Sequence, residues 1–153
     1  MSNRTASQAR NTAETKIKLS LDLDGSGKSS IATRIPFFDH MLTLFSRHSL
    51  IDLNVEVDGD VEVDFHHTVE DTGIVLGECI KTAMGDKDGI RRYGHAYVPM
   101  DETLCRSVID LSNRPQLELR TPEQTADAQN FPFTLVEEFC RALASNLRCN
   151  LHI

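Results

Sequence analysis

From Thr15 to Leu23 the chain alternates strictly. Ile17, Leu19, Leu21 and Leu23 fall on one side, and Lys16, Lys18, Ser20 and Asp22 on the other. A period of two predicts a half-buried strand. Asp24-Gly25-Ser26-Gly27 predicts a hairpin turn, with Lys28 to Thr33 as its return strand. From Pro36 to His48 the period becomes helical: Phe37, Phe38, Met41, Leu42, Leu44 and Phe45 form a broad apolar stripe interrupted by His40 and His48. Alternation returns over Ile51 to Val57. Asp58-Gly59-Asp60 turns, and Val61 to Phe65 extends the meander. A second helix is predicted from about Thr68 to Met84, stopped by Gly85.

After the loop 85–89 come a strand leading to Pro99, a strand over Leu104 to Leu111, a turn at 112–115 and a strand over Gln116 to Arg120. Thr121 to Asn130 is polar and irregular. Thr134 opens a last helix, where Thr134-Leu135-Val136-Glu137 fits a capping box and Leu135, Phe139, Leu143 and Leu147 recur at helical spacing. Leu151-His152-Ile153 begins another strand. Residues 1–12 are polar and are expected to form a flexible tail.

The order hairpin, helix, strand therefore occurs twice. His40 to Leu53 spans 53 − 40 = 13 positions, and Glu138 to Leu151 spans 151 − 138 = 13. Glu138 holds in the second unit the place of His40 in the first. This predicts an α+β fold of two similar α/β half-domains, residues 13–90 and 91–153. The His66-His67 pair begins 26 positions after His40, so its counterpart would fall near 138 + 26 = 164. The second half is accordingly expected to be truncated.

Bulk composition narrows the function. Against 16 Lys and Arg stand 23 Asp and Glu, a net charge of −7. A nucleic-acid or anionic-membrane surface needs the opposite balance. No apolar run approaches the roughly 18 residues of a membrane span. Four scattered cysteines without a Cys-x-x-Cys pair point to free thiols in a reducing cytoplasm, with Cys79 and Cys105 expected to be buried. Gly25-Ser26-Gly27-Lys28-Ser29 imitates the end of a P-loop, but Asp22 stands where its first glycine belongs. The same turn imitates an EF-hand start, but Thr33 stands where the bidentate glutamate belongs.

The densest candidate chemistry is His66-His67-Thr68-Val69-Glu70-Asp71. Positions three and four apart share a helix face, so His66 projects with Glu70, and His67 with Glu70 and Asp71. Imidazole nitrogen beside carboxylate oxygen suits Zn, Mn or Fe. A polar helix start, with acids complementing the dipole, accounts for the same residues.

Further short segments join this one: Arg10-Asn11-Thr12-Ala13-Glu14-Thr15, Phe38-Asp39-His40-Met41-Leu42, the Gly59-Asp60 turn, Thr72-Gly73-Ile74, Gly85-Asp86-Lys87 with Gly89-Ile90, Arg92-Tyr93-Gly94, Pro99-Met100-Asp101-Glu102 and Leu135-Val136-Glu137-Glu138-Phe139. Together they span nearly the whole chain, which resembles the imidazoleglycerol-phosphate dehydratases of histidine biosynthesis.

The resemblance implies a ribosomal-protein-S5-domain-2-like fold with sheets packed against helices. It implies dehydration of D-erythro-imidazole glycerol phosphate to imidazole acetol phosphate at a site with two Mn2+ ions. It makes His40, His66, His67, Glu70 and Glu138 metal ligands. Substrate contacts fall to Glu14, His40, His66, His67, Glu70, Arg92 and Arg114, with Glu14 and Glu70 in catalytic roles and Glu14 the candidate general base. The arginines suit a phosphate through their forked donors. The family assembles identical subunits into a 24-mer built from trimers, with sites shared between neighbours.

The family has Gly where Asn113 stands. Asn tolerates positive φ, so the turn is expected to survive with Arg114 shifted. The expected truncation leaves two alternatives to the enzyme: a non-catalytic scaffold with an incomplete metal site, and an unrelated metal-dependent hydrolase using His66, His67 and Glu70.

Overall fold

A computed structural model describes residues 4–122 and 125–153. Along the chain it contains β1 (Thr5–Asn11), β2 (Thr15–Asp22), β3 (Ser29–Ala32), α1 (Pro36–Ser49), β4 (Asp52–Gly59), α2 (His66–Met84), β5 (Tyr93–Met100), β6 (Thr103–Asp110), β7 (Gln116–Glu118), α3 (Thr134–Leu147) and β8 (Asn150–His152). No helix among the described residues is long and apolar enough to cross a membrane.

The strands form two four-stranded sheets, ordered β1-β2-β4-β3 and β5-β6-β8-β7. The second order is the first shifted by four. The parallel pairs also correspond, β3 with β4 and β7 with β8. Helices α1 and α3 each have 14 residues, and both lead through a left-handed residue, Leu50 or Arg148, into the next strand. His40 is fifth in α1 and Glu138 fifth in α3. The fold is α+β, with one pattern used twice.

The alternation in β2 and β4 does what its period requires. Ile17, Leu19, Leu21, Leu53, Val55 and Val57 are buried beneath Val75, Leu76 and Cys79 of α2. Full burial of such side chains contributes roughly 1.5–3 kcal/mol each. A second cluster joins Phe38 and Leu42 of α1 to Val69 of α2 and to Phe131 and Leu135. Helix α3 lies closely along α2, because Gly73 and Gly77 present no side chain to it. A Cβ at Gly77 would lie 2.8 Å from the Leu143 carbonyl oxygen, and one at Gly73 2.8 Å from that of Phe139.

Five local expectations are corrected. The flexible tail over residues 1–12 is a strand from Thr5, paired antiparallel with β2 from Thr5↔Asp22 to Asn11↔Lys16. The 24–27 turn does not close a hairpin: β4 inserts beside β2, and β3 pairs with the far edge of β4. Asp52 holds that loop, its Oδ1 accepting the Ser26 and Lys28 N–H groups at 2.7 and 2.8 Å. Val61 to Phe65 is a turn rather than a strand. The capping box does not form, because Thr134 is already helical and its side chain makes no cap; Glu137 pairs instead with Arg141. Cys105 is exposed, because nothing in the described structure covers the β5–β6 hairpin around it.

Candidate functional site

The site is built where three chain segments meet at the N-terminus of α2. The first is the tight turn between β1 and β2. Thr12 Oγ1 accepts the N–H groups of Glu14 and Thr15 at 3.1 and 2.9 Å, which holds Glu14 at the apex. The second is the end of β4, where Gly59 lies against α2. A Cβ there would come within 2.1 Å of Thr68 Oγ1, so the contact requires glycine. The close approach brings the next residue, Asp60, beside the helix. The third is the first turn of α2, whose His66 N–H donates to the Asp64 carboxylate at 2.7 Å.

His66 Nε2 lies 3.3 Å from Glu70 Oε2, one helical turn apart, and both side chains are half-exposed. This is the projection expected from the spacing. His67 departs from it: its ring turns edge-on to that of His66 and meets Asp60, with Nδ1 3.0 Å from Oδ2. The Asp60 carboxylate raises the imidazole pKa above its ordinary value, helped by the nearby charge of Glu14. With Nδ1 engaged, Nε2 is the nitrogen available to a ligand. Asp60 also donates its N–H to the Glu14 carbonyl at 3.1 Å. Glu14, Asp60 and His67 thus form one cluster. Asp71 departs as well, facing away from both histidines toward Arg10 and Thr15.

The other expected site residues lie apart from this cluster. His40 is exposed on α1, and Glu138 is half-buried on α3. Arg92 makes a forked contact with Asp110, at 2.6 and 3.1 Å, and lies over the Tyr93 ring. That guanidinium holds the Asp110 carboxyl below the usual carboxylate range, and the charge of Arg114 adds to the effect. Asn113 adopts φ +63 and keeps the turn. Its Oδ1 accepts from Lys87 Nζ at 2.8 Å, and its carbonyl accepts from Arg148 at 3.2 Å.

Imidazole nitrogen and carboxylate oxygen are the donors a divalent transition metal takes. His66 and Glu70 present one of each at a single point, so the donor chemistry fits. Among the described residues no three His, Cys, Asp or Glu side chains are grouped so as to hold a metal ion. Sequence reasoning missed Asp60 as the partner of His67, and Arg10 and Thr15 as partners of Asp71. The signal available was the Gly59-Asp60 pair directly before the histidines, where a glycine permits close approach.

Comparison with known proteins gives one family. The model of imidazoleglycerol-phosphate dehydratase matches residues 33–153. A protein of that name from Akkermansia muciniphila is 64% identical over 98% of this chain and 77% of its own length. One from Geobacter sulfurreducens is 52% identical over 99% of this chain and 77% of its own. The crystal structure of imidazoleglycerol-phosphate dehydratase from Staphylococcus aureus superposes with a TM-score of 0.85 at 39% identity, covering 97% of this chain and 81% of that one. The structure of the Pyrococcus furiosus protein in complex with (S)-C348 gives 0.77 at 32%, covering 95% and 77%.

Proposed function

The chain belongs to the imidazoleglycerol-phosphate dehydratase family, hydro-lyases of histidine biosynthesis, and from that premise we propose a manganese-dependent mechanism carried by the α2 N-terminus. The substrate is D-erythro-imidazole glycerol phosphate and the product imidazole acetol phosphate. His40, His66, His67, Glu70 and Glu138 would hold the metal. The observation that carries this reading is the 3.3 Å approach of His66 Nε2 and Glu70 Oε2 beside a His67 ring fixed through Nδ1. When bound, two Mn2+ ions supply Lewis acidity that favours the deprotonated substrate imidazole and the departing hydroxyl.

The protein's own residues then do three things. Asp60 fixes the His67 ring so that Nε2 faces outward. Glu14, held beside His67, takes the proton from the middle carbon of the glycerol chain, and the hydroxyl leaves as water from the carbon bonded to the imidazole. The enol so formed becomes the ketone by proton transfer. Arg92 and Arg114 receive the phosphate, Arg92 exchanging the Asp110 carboxylate for phosphate oxygens. Identical subunits would share the site by association. A cytoplasmic location accords with the free thiols.

The test is a manganese titration of the protein and its His66→Ala and His67→Ala variants, with dehydration followed in parallel. Both variants should lose metal uptake and turnover. Retention of both would overturn the ligand assignment. Metal binding without turnover in the unmodified chain would instead favour a non-catalytic scaffold of the family. General hydrolase activity would point to the remaining alternative.

A further inference from the structure

Asp71 is the buried carboxylate that the proposed mechanism leaves unused. It is 7% exposed and follows Glu70 directly. Its Oδ2 accepts the Thr15 hydroxyl at 2.5 Å, and its Oδ1 accepts the Arg10 Nε–H at 2.9 Å. Both partners lie some sixty positions away in sequence, one on each strand of the β1–β2 pair. Thr15 Oγ1 is in turn 3.2 Å from Thr12 Oγ1, the atom that accepts the Glu14 N–H. On its other side the Glu14 carbonyl accepts the Asp60 N–H, and Asp60 holds His67.

The backbone of Glu14 is therefore gripped from both sides, and both grips end on α2, at Asp71 and at His67. Placing a carboxylate at the apex of a connection between strands leaves its position soft unless something fixes it. A charged acceptor engaging two donors gives the stronger kind of hydrogen bond. A buried carboxylate without such partners would be costly. The arrangement is thus held by the same burial that makes it expensive to break.

We propose that Asp71, Thr15 and Thr12 form a positioning latch that sets Glu14 against the first turn of α2. The latch rests on the reading of Glu14 as the general base. It touches no substrate; it acts through Glu14.

The test uses the full enzyme loaded with manganese. Thr15→Val removes the hydroxyl at nearly constant shape, and Thr15→Ser restores it. Thr15→Val should lower kcat roughly 100-fold, the scale of a small misplacement of a reacting group, with KM changed less than about twofold. Thr15→Ser should recover most of the loss. Amide exchange at Glu14 should quicken in Thr15→Val while that of Leu53 in the core stays slow. In a Glu14→Gln background Thr15→Val should cost nothing further, because residues acting as a unit are not additive.

If Thr15→Val fails to fold, Arg10→Met removes the other, more exposed arm and should move the same readouts in the same direction. Unchanged kcat and exchange in Thr15→Val, or additive losses with Glu14→Gln, overturn the latch alone. Wild-type turnover in Glu14→Gln overturns the assignment of Glu14, and the latch with it.

Discussion

The two halves share a strand order and differ in what lies on their sheets. In the first, α2 covers β1, β2 and β4, and the facing side chains of β2 and β4 are buried. In the second, α3 reaches β7 and the end of β8, and the β5–β6 hairpin stays open. Leu53 on β4 is 0% exposed, whereas Tyr97 on β5 is 58% and Leu104 on β6 is 65% exposed. One backbone pattern thus gives two electrostatic and packing environments. The covered half can hold a buried carboxylate such as Asp71 and set neighbouring groups to it. The open half keeps its charged pair, Arg92 and Asp110, near water, where a surface ion pair contributes little to stability.

The largest effects should separate the halves by kinetic parameter. On the proposed role of Glu14 as general base, Glu14→Gln should lower kcat by about 10²–10⁴ with KM nearly constant. On the proposed role of Arg114 as a phosphate ligand, Arg114→Ala should raise KM by about 10- to 100-fold, equivalent to about 1.5–3 kcal/mol, with a smaller change in kcat. Steady-state kinetics on both variants checks the division. A kcat loss of equal size in each would break it.

Stability should divide in the same way. Leu53→Ala opens a cavity beneath α2 and should cost about 2–5 kcal/mol in denaturant unfolding. Leu104→Ala removes an exposed side chain and should stay within about 0.5 kcal/mol in the isolated chain. A cost for Leu104→Ala near that of Leu53→Ala would mean that the hairpin is covered in solution, and its dependence on protein concentration would identify association as the cause.

The sequence was most legible where burial is one-sided. Ile17 to Leu21 and Leu53 to Val57 show a clean period of two because one face meets α2 and the other meets water. The strand β1 was invisible for a related reason. Its inward positions are Ala6, Gln8 and Arg10, so it contributes little apolar surface; Arg10 engages Asp71 instead, and a half-buried ion pair has no periodic signature. The order of β3 and β4 was misread because turn residues announce a reversal but not the partner strand. At the site, helical spacing places His66 with Glu70 correctly. It misplaces His67 and Asp71, since each side chain is drawn aside by a group outside the helix. The Gly73 and Gly77 face toward α3 was also missed, because glycine in a helix reads as a weakness until a neighbouring backbone is seen against it.

The smallest expected effect gives the sharpest map of what is covered. Cys79, Cys140 and Cys149 are buried, and burial pushes each thiol up to about 11. At pH 8 a thiol of that pKa is thiolate in only about one molecule in a thousand. Reaction with a small alkylating reagent then requires both exposure by opening and deprotonation. Cys105 is exposed on β6 and needs no opening. In the native chain one equivalent of reagent should therefore enter at Cys105, with the other three following only in denaturant, as peptide mass mapping would show. Labelling of Cys79 at the rate of Cys105 would break the contrast between the covered and open sheets. Protection of Cys105 that disappears on dilution would sharpen it, because it would put a second copy of the chain on the hairpin that this half leaves bare.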